Sequence, residues 1–583
     1  MKKSSLLQKM ALGITLLLCA TTMSAKDIFV ASEANGGSWD ADAGTQTKPA
    51  VLDNAMLNGD EGAEGILADG DKIIVLPGTH ILSTPINIDN IAVDIIGYST
   101  IDDIDYSASG NSIIDGGGVT KLFNITNNAT VKFAHLTFQN AKTTTGGGSA
   151  ITVDAATVDV GNCGFINNVA AGGSDTFNAY GGAIRAVSAA TVNLWNVTFN
   201  GNTGFRGGAL AVNGATLKAE YCFFWNNSTV YADVEARGGL FYGSDATLNF
   251  NFCDFKGNYS SAGGGVFFLG GTSNTTINHS AIYGNHSGEQ YNLETQTGAG
   301  DNHGGVFFGG GNRLLIINTT IANNYAKNDA VGGVLAFGGN EFTMINSTVT
   351  GNYTYGNIDH CGGFKFTDNT AVNIYNSIIE RNYTMADNNW SDVYFVKAET
   401  TVTVEGSVVG SSRAANPDNI TSTDNSYLSY SYDPLPKADP ADDPAGEPNK
   451  NVSGITTNGM EKTCFPLQAS AVATTIGKPN YLALVNEDDD QYQNSRPMDA
   501  ATIYAGAVQI LESEASTLVK PVLAPENPNY NPYDLNTGIY EISTDGATAI
   551  GYYTILGQKL DKEPASGLFI VRYSNGKSIK VVK

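Results

Sequence analysis

A chain of 583 residues with 67 glycines, 17 prolines and only 15% charged residues is long enough to bury a large core and rich in the residue that tight and left-handed turns require. Its formal net charge of −25 repels phosphate backbones, which excludes nucleic acid as an expected partner.

The first residues carry Lys2, Lys3 and Lys9, an apolar run from Met10 to Ala20 and small residues up to Ala25. That order predicts a secretory signal peptide over 1–25, cleaved after Ala25. Cys19 admits lipidation as the alternative, although Leu18 is bulky for the position before a lipidated cysteine. No later stretch is apolar for long enough to span a bilayer. Residues 26–70 read as an N-terminal cap, with a short strand at Asp27–Val30 and a helix from Pro49 to Leu57 covering an otherwise bare strand edge.

From residue 71 the chain is organised by two recurring landmarks. One is a glycine pair before a small or apolar residue, at Gly181-Gly182, Gly207-Gly208, Gly238-Gly239, Gly264-Gly265, Gly304-Gly305, Gly332-Gly333 and Gly362-Gly363. The other is an apolar residue three places before an asparagine, in the pairs Phe165/Asn168, Phe199/Asn202, Phe224/Asn227, Phe255/Asn258, Ile282/Asn285, Ile321/Asn324, Val349/Asn352 and Ile379/Asn382. Each landmark keeps its internal spacing while the distance between copies varies, so the unit has a fixed core and a variable loop, as stacked repeats do. The apolar residues alternate within short runs rich in Val, Ile, Thr and Phe, which is the period of a strand. Such a unit buries its inward face only against copies of itself, and a right-handed parallel β-helix of roughly ten to twelve coils is the expected fold.

Phe138-Gln139-Asn140 reads as a degenerate first copy, its asparagine one place early. After Asn382 the pattern fades, with Ser391-Asp392-Val393 where a glycine pair is expected. Irregular last coils are assigned from 413 to 511, with Ile503 to Val508 in the final one. Residues 512–536, with several prolines and acids, form a linker. Residues 537–583 make a separate small β-sandwich-like domain, with strands over Ile539–Ile542, Gly551–Ile555, Leu568–Tyr573 and Ser578–Val582 and turns at Gly557-Gln558 and Asn575-Gly576. The cysteines beyond the signal number five. Cys163, Cys222 and Cys253 stand two places before a landmark phenylalanine and so point inward as small core residues, without a disulfide framework.

Three resemblances attach to these residues. Gly181-Gly182-Ala183-Ile184 alternating with Phe199-Asn200-Gly201-Asn202 resembles the repeats of chlamydial polymorphic outer-membrane proteins and of the pectate-lyase-like superfamily of β-helix proteins. Tyr553-Thr554-Ile555-Leu556-Gly557-Gln558, Gly567-Leu568-Phe569-Ile570, Asn575-Gly576-Lys577 and the basic end at Lys583 are similar to the C-terminal sorting domain of type IX secretion cargo in Bacteroidetes. That resemblance implies the type IX machinery as a partner and the surface of a Gram-negative cell, or the medium, as the destination. Ser495-Arg496-Pro497 and Ala505-Gly506-Ala507 resemble the closing coil of secreted Bacteroidetes β-helix proteins.

Three features could carry function. Glu235, Asp301, Asp329 and Asp359 each stand three residues before a glycine pair, and stacked carboxylates repel unless water or a cation separates them. Asp301, Asp329 and Asp359 are therefore the candidate Ca²⁺ ligands, and no other cofactor is expected. His303, His360 and Arg237 lie beside those acids or the glycine pairs, as Arg206 does, and fit a groove for a glycan. Tyr259, Tyr325, Tyr353 and Tyr383 each follow a landmark asparagine, and a stripe of rings could stack on sugar faces. The asparagines themselves read as a structural ladder.

Within the repeats no Asn-Thr-Asp or adjacent Asp-Asp pair and no outward Arg/Lys ladder matches a lyase. The leading expectation is a secreted or cell-surface, monomeric, non-catalytic protein, an adhesin or glycan-binding protein that meets polysaccharide, host glycan or host protein. The alternative is a polysaccharide lyase or glycoside hydrolase acting along the acidic row.

Overall fold

The computed structural model describes residues 25–60, 63–98, 112–171, 179–229, 236–288, 303–327, 332–355, 361–368, 370–384, 389–397, 400–410, 412–414, 420–421, 467, 473–485, 488–492, 494–497, 500–509, 511, 549–553, 559–560, 562, 568–573 and 578–582. It divides into two compact units, Met1–Leu535 and Asn536–Lys583.

The larger unit is a right-handed parallel β-helix. A representative coil runs through Ile184–Val187, Thr191–Trp195 and Thr198–Asn200. Each strand pairs in parallel with its counterparts one coil above and below, and such crossovers take the right-handed path. The three resulting sheets have 15, 12 and 12 strands. We call them the long sheet, the glycine sheet, whose strands follow the glycine pairs, and the phenylalanine sheet, which carries the apolar-x-x-Asn landmark.

Corners are made by single residues in the left-handed region. Between the long and phenylalanine sheets these are His135, Asn162, Asn196, Tyr221, Phe252, His279, Asn318, Asn346 and Asn376, with φ between 46° and 56° except for Asn318 at 45°. Asparagine tolerates this region, whereas Tyr221 and Phe252 occupy it against intrinsic preference. Their rings stack on each other at 4.9 Å, and Phe252 stacks on His279 at 4.5 Å.

The interior is layered by register. Phe138, Phe165, Phe199, Phe224 and Phe255 stack at 4.8, 4.7, 5.3 and 5.1 Å and are fully buried. Ile282, Ile321, Val349, Ile379 and Val409 continue the column. The asparagine ladder forms as expected: Nδ2 of Asn168 donates to Oδ1 of Asn202 at 2.9 Å, and the pattern repeats coil by coil to Asn382. Ala141 takes the ladder position in the degenerate copy, and its N–H donates to Asn168 Oδ1 at 3.0 Å. A second ladder runs beside the core. Backbone N–H groups of Cys253, Ser280, Thr319, Ser347 and Ser377 donate to the hydroxyls of Ser280, Thr319, Ser347, Ser377 and Ser407. Cys163, Cys222 and Cys253 are buried and free, and Cys361 is too.

The glycine pairs line one corner. A Cβ on Gly182, Gly208, Gly239, Gly265, Gly305 or Gly333 would lie 2.0–2.2 Å from the carbonyl oxygen of its counterpart in the next coil. Only glycine lets the backbones approach so closely. The counterpart of Gly333 is Gly362, not Gly363, because Leu335 pairs with Phe364. The last pair is thus displaced by one residue, and Cys361 stands level with the first glycines.

Three further expectations are corrected. The early helix spans Asn54–Asn58 rather than Pro49–Leu57, because Ala50–Val51 pair with Val30–Ala31 and extend the long sheet. Asp53 caps the helix by accepting from Ala55 N–H. Asn54 Oδ1 then accepts from Asn87 N–H, and Asn58 Nδ2 donates to Asn87 O, so two amide side chains satisfy the exposed edge strand Ile86–Asp89. The stack begins not at 71 but with Asp27–Ala31, which pairs with Lys72–Val75.

The third correction concerns the last coils. Val408–Val409, Ser412–Ala414 and Ile420–Thr421 complete the three sheets. Among its described residues, the stretch from Leu467 to Leu511 adds no strand to the three sheets. Its described residues form a strap along the outside of the later coils, where Leu467, Ala473 and Ala505 bury against Ala322, Ile378 and Val408. Gln491 Nε2 donates to Ser280 O, Ala507 N–H to Thr348 Oγ1 and Gly506 N–H to Asn376 O. Tyr481 stacks on Tyr375 at 4.3 Å and its hydroxyl donates to Glu405. Arg496, 3% exposed, donates to the carbonyls of Asp489, Tyr504, Gly506 and Ala507 and fixes the strap's internal turn. The strap changes the strands beneath it: Arg313–Ile317 and Glu341–Ile345 are buried on both faces past their first residue, while Thr157–Gly161 alternates.

In the second unit the described residues form one four-stranded antiparallel sheet of Ala549–Tyr553, Lys559–Leu560, Leu568–Tyr573 and Ser578–Val582. Ile539–Ile542 and the turns at Gly557-Gln558 and Asn575-Gly576 lie outside the described residues.

Candidate binding face on the glycine sheet

In the glycine-sheet strands the second residue, from Thr152 to Phe308 and again at Lys365 and Tyr394, points outward. The register aligns Thr152, Arg185, Ala211, Tyr242, Phe268, Phe308, Ala336, Lys365, Tyr394 and Arg413 in one column. Beside it, isolated bridges link Tyr180 to Arg206, Arg237 to Gly263 and Gly263 to His303.

The two columns interleave. The Arg185 guanidinium lies 5.3 Å from the Tyr180 ring centre, and that of Arg206 lies 5.6 Å from Tyr180 and 5.5 Å from Tyr242, above the small Ala211. Tyr242 stacks on Phe268 at 4.9 Å. Arg237 sits 5.3 Å from Phe268 and 5.2 Å from Phe308, and His303 tilts against Phe308 at 4.8 Å. Gly263 makes room for Phe308, since a Cβ there would lie 2.8 Å from Phe308 Cδ1. A guanidinium stacked on rings keeps its N–H edge in a fixed plane, ready for directional hydrogen bonds. At the near end Lys121 Nζ donates to Thr152 Oγ1 at 2.7 Å, and burial, with the Arg185 charge nearby, brings its amine down to about 8.

Of the candidates read from the sequence, Arg237 and His303 belong to this face, and Arg206 joins them. Tyr180, Arg185, Tyr242, Phe268 and Phe308 were missed. For four of them the signal was the third residue after the second glycine of a pair, where Arg185, Tyr242, Phe268 and Phe308 stand, while Tyr180 directly precedes its pair. Arg206 and Arg237 each stand directly before a glycine pair, whereas Arg185 comes from the strand that follows one, so the three share this face only once register is fixed.

The tyrosines form a row in the short sheet that follows the asparagine ladder. Tyr259, His286, Tyr325, Tyr353 and Tyr383 stack in that order at 5.0, 4.8, 5.0 and 5.2 Å. His286 completes the row where no tyrosine was expected. The row is not a fully external stripe: Tyr259, Tyr325 and Tyr353 are half-buried and Tyr383 is only 2% exposed. Ring edges rather than faces meet solvent, because each face is covered by the next coil.

Glu235, Asp301, Asp329, Asp359 and His360 lie outside the described residues.

No family model and no curated protein matches the chain. Among solved structures it is similar to the crystal structure of pectate lyase Pel9A, with 14% identity over 84% of this chain and 97% of that chain and a TM-score of 0.32.

Proposed function

We propose that this protein is a secreted or cell-surface β-helix that binds polysaccharide or a host surface glycan through the glycine-sheet face, as an adhesin rather than an enzyme. The observation that carries this reading is the alternation of Tyr180, Arg206, Tyr242, Phe268, Arg237 and Phe308, half-buried and aligned along the coil axis. Rings offer flat apolar surfaces to sugar faces, and the guanidinium edges offer donors to hydroxyls or carboxylates. Export is supported by the signal-like N-terminus and by the likeness of Tyr553 to Lys583 to type IX sorting domains. The test is a glycan array probed with the mature chain and with Arg237→Ala and Tyr242→Ala. Binding that both variants lose supports the reading; binding that neither changes rejects it.

Lys121 favours a second reading, a polysaccharide lyase. An amine brought down to about 8 by burial and by the Arg185 charge gives up its proton more readily than a free lysine, as a proton acceptor at a site for anionic sugars must. Incubation with acidic and neutral polysaccharides, with and without Ca²⁺, decides it. Unsaturated products that Lys121→Ala abolishes support a lyase, and the absence of unsaturated products and of new reducing ends excludes both lyase and hydrolase.

A further inference from the structure

A different face of the solenoid, the outer side of the long sheet, carries a shallow groove of about 620 Å³ across the coils from Lys132 to Asn249. Two outward columns build it. One holds Lys132, Asp159, Asn193, Lys218 and Asn249; the other holds Ala134, Gly161, Trp195, Glu220 and Asn251.

Trp195 is 47% exposed, with no described residue closing over it, which is uncommon for so large an apolar side chain. Its indole leans toward Gly161, where an added Cβ would lie 4.0 Å from the ring. Gly161 and Ala134 keep the floor on that side low, so the ring borders a trough instead of standing on a flat sheet. The polar lining is balanced: Lys132 and Lys218 oppose Asp159 and Glu220 in a protein whose net charge is −25. Asn193 Nδ2 donates to Asp159 Oδ1 at 2.7 Å, which fixes one carboxylate oxygen beside the ring. At the far end Asn251 Oδ1 is buried without a protein partner among the described residues.

We propose that this groove is a second, separate binding site whose ligand is a neutral glycan. An aromatic platform covers the apolar face of a pyranose ring, and flanking ammonium, carboxylate and amide groups match hydroxyls, which both donate and accept. A charge-balanced lining gives no preference to anionic sugars. Five coils at ~4.8 Å per step give a length of about 19 Å, which suits a chain lying along the coil axis. The site shares no residue with the glycine-sheet face and does not depend on it.

Titration calorimetry of the full mature chain with neutral hexasaccharides of glucose, mannose and xylose tests the assignment. Expected is binding by at least one of them, weakened about tenfold or more by Trp195→Ala and by Gly161→Leu, which fills the trough but leaves the indole in place. Arg237→Ala leaves that binding intact, which separates this site from the one on the glycine sheet. Neutral-glycan binding that falls with Arg237→Ala and not with Trp195→Ala overturns the assignment while upholding the first site. No heat with any hexasaccharide up to about 1 mM overturns it as well.

Discussion

Asn382 Nδ2 donates to Asp392 Oδ1 at 2.8 Å, so a ladder of asparagine amides ends on a carboxylate. The same oxygen also accepts from Asn382 N–H at 2.8 Å. Asp392 takes this place because Tyr383–Thr384 pair antiparallel with Asn389–Trp390, which turns the chain back where another asparagine would have stood.

Asp392→Asn keeps an oxygen in that position and is expected to shift stability little, whereas Asp392→Ala leaves two buried donors without an acceptor. The expected cost of the alanine is about 2–4 kcal/mol, read from denaturant midpoints. An equal effect of the two variants would mean that the ladder's end is not an acceptor site.

Asp254 is fully buried, and desolvation pushes its carboxyl up to about 7, against the opposing donation from Tyr283 Oη at 3.2 Å. Its folded pKa therefore lies above the unfolded one. Between about pH 4 and pH 7 the unfolded chain loses its proton while the folded chain keeps it, so this group's contribution falls as pH rises and is flat above 7. Asp254→Asn is expected to be more stable than the native chain at pH 8 by up to about 4 kcal/mol, with the gap closing near pH 4. Melting temperatures of the two proteins across that range check the sign.

Gly265→Ala places a Cβ 2.1 Å from Gly305 O and 2.6 Å from His286 O, both backbone atoms that cannot step aside. Loss of about 3 kcal/mol or more, or failure to fold, is expected. Gly284→Asn is the contrast. Its φ of +64° is one asparagine adopts and its Cβ meets nothing within 4 Å, so the change stays within about 0.5 kcal/mol. Circular dichroism melts of both variants separate the two kinds of glycine.

Arg496→Met removes a buried cation whose donors hold four carbonyls of the strap, and about 3–5 kcal/mol of local stability should go with it. Hydrogen exchange should rise at Ala507 and Gly506, whose N–H groups bond the coils beneath, before it rises at the asparagine ladder. Simultaneous exchange of both would show that strap and solenoid open as one unit.

The repeat unit, its inward face and the asparagine ladder were legible in the chain because each depends on spacing within a coil. Phe199 and Asn202 are three residues apart wherever the coil sits. Continuous apolar runs such as Leu314-Leu315-Ile316-Ile317 also showed, unread, that something covers the outer face of the later coils. The displaced Gly362 was not legible, since a glycine pair looks the same in either register.

The linear sequence by itself determined that this chain stacks on copies of its own repeat and which side chains face inward, because strand alternation and left-handed corners are local. Only the tertiary structure decided what meets on the outside. Loops of different length separate the coils, so neighbours such as Arg206 and Tyr242, or Gly161 and Trp195, become known only when register is fixed. The strap that closes over Ser280 and Thr320 comes from residues more than 150 positions further along the chain, a distance at which no periodicity carries information.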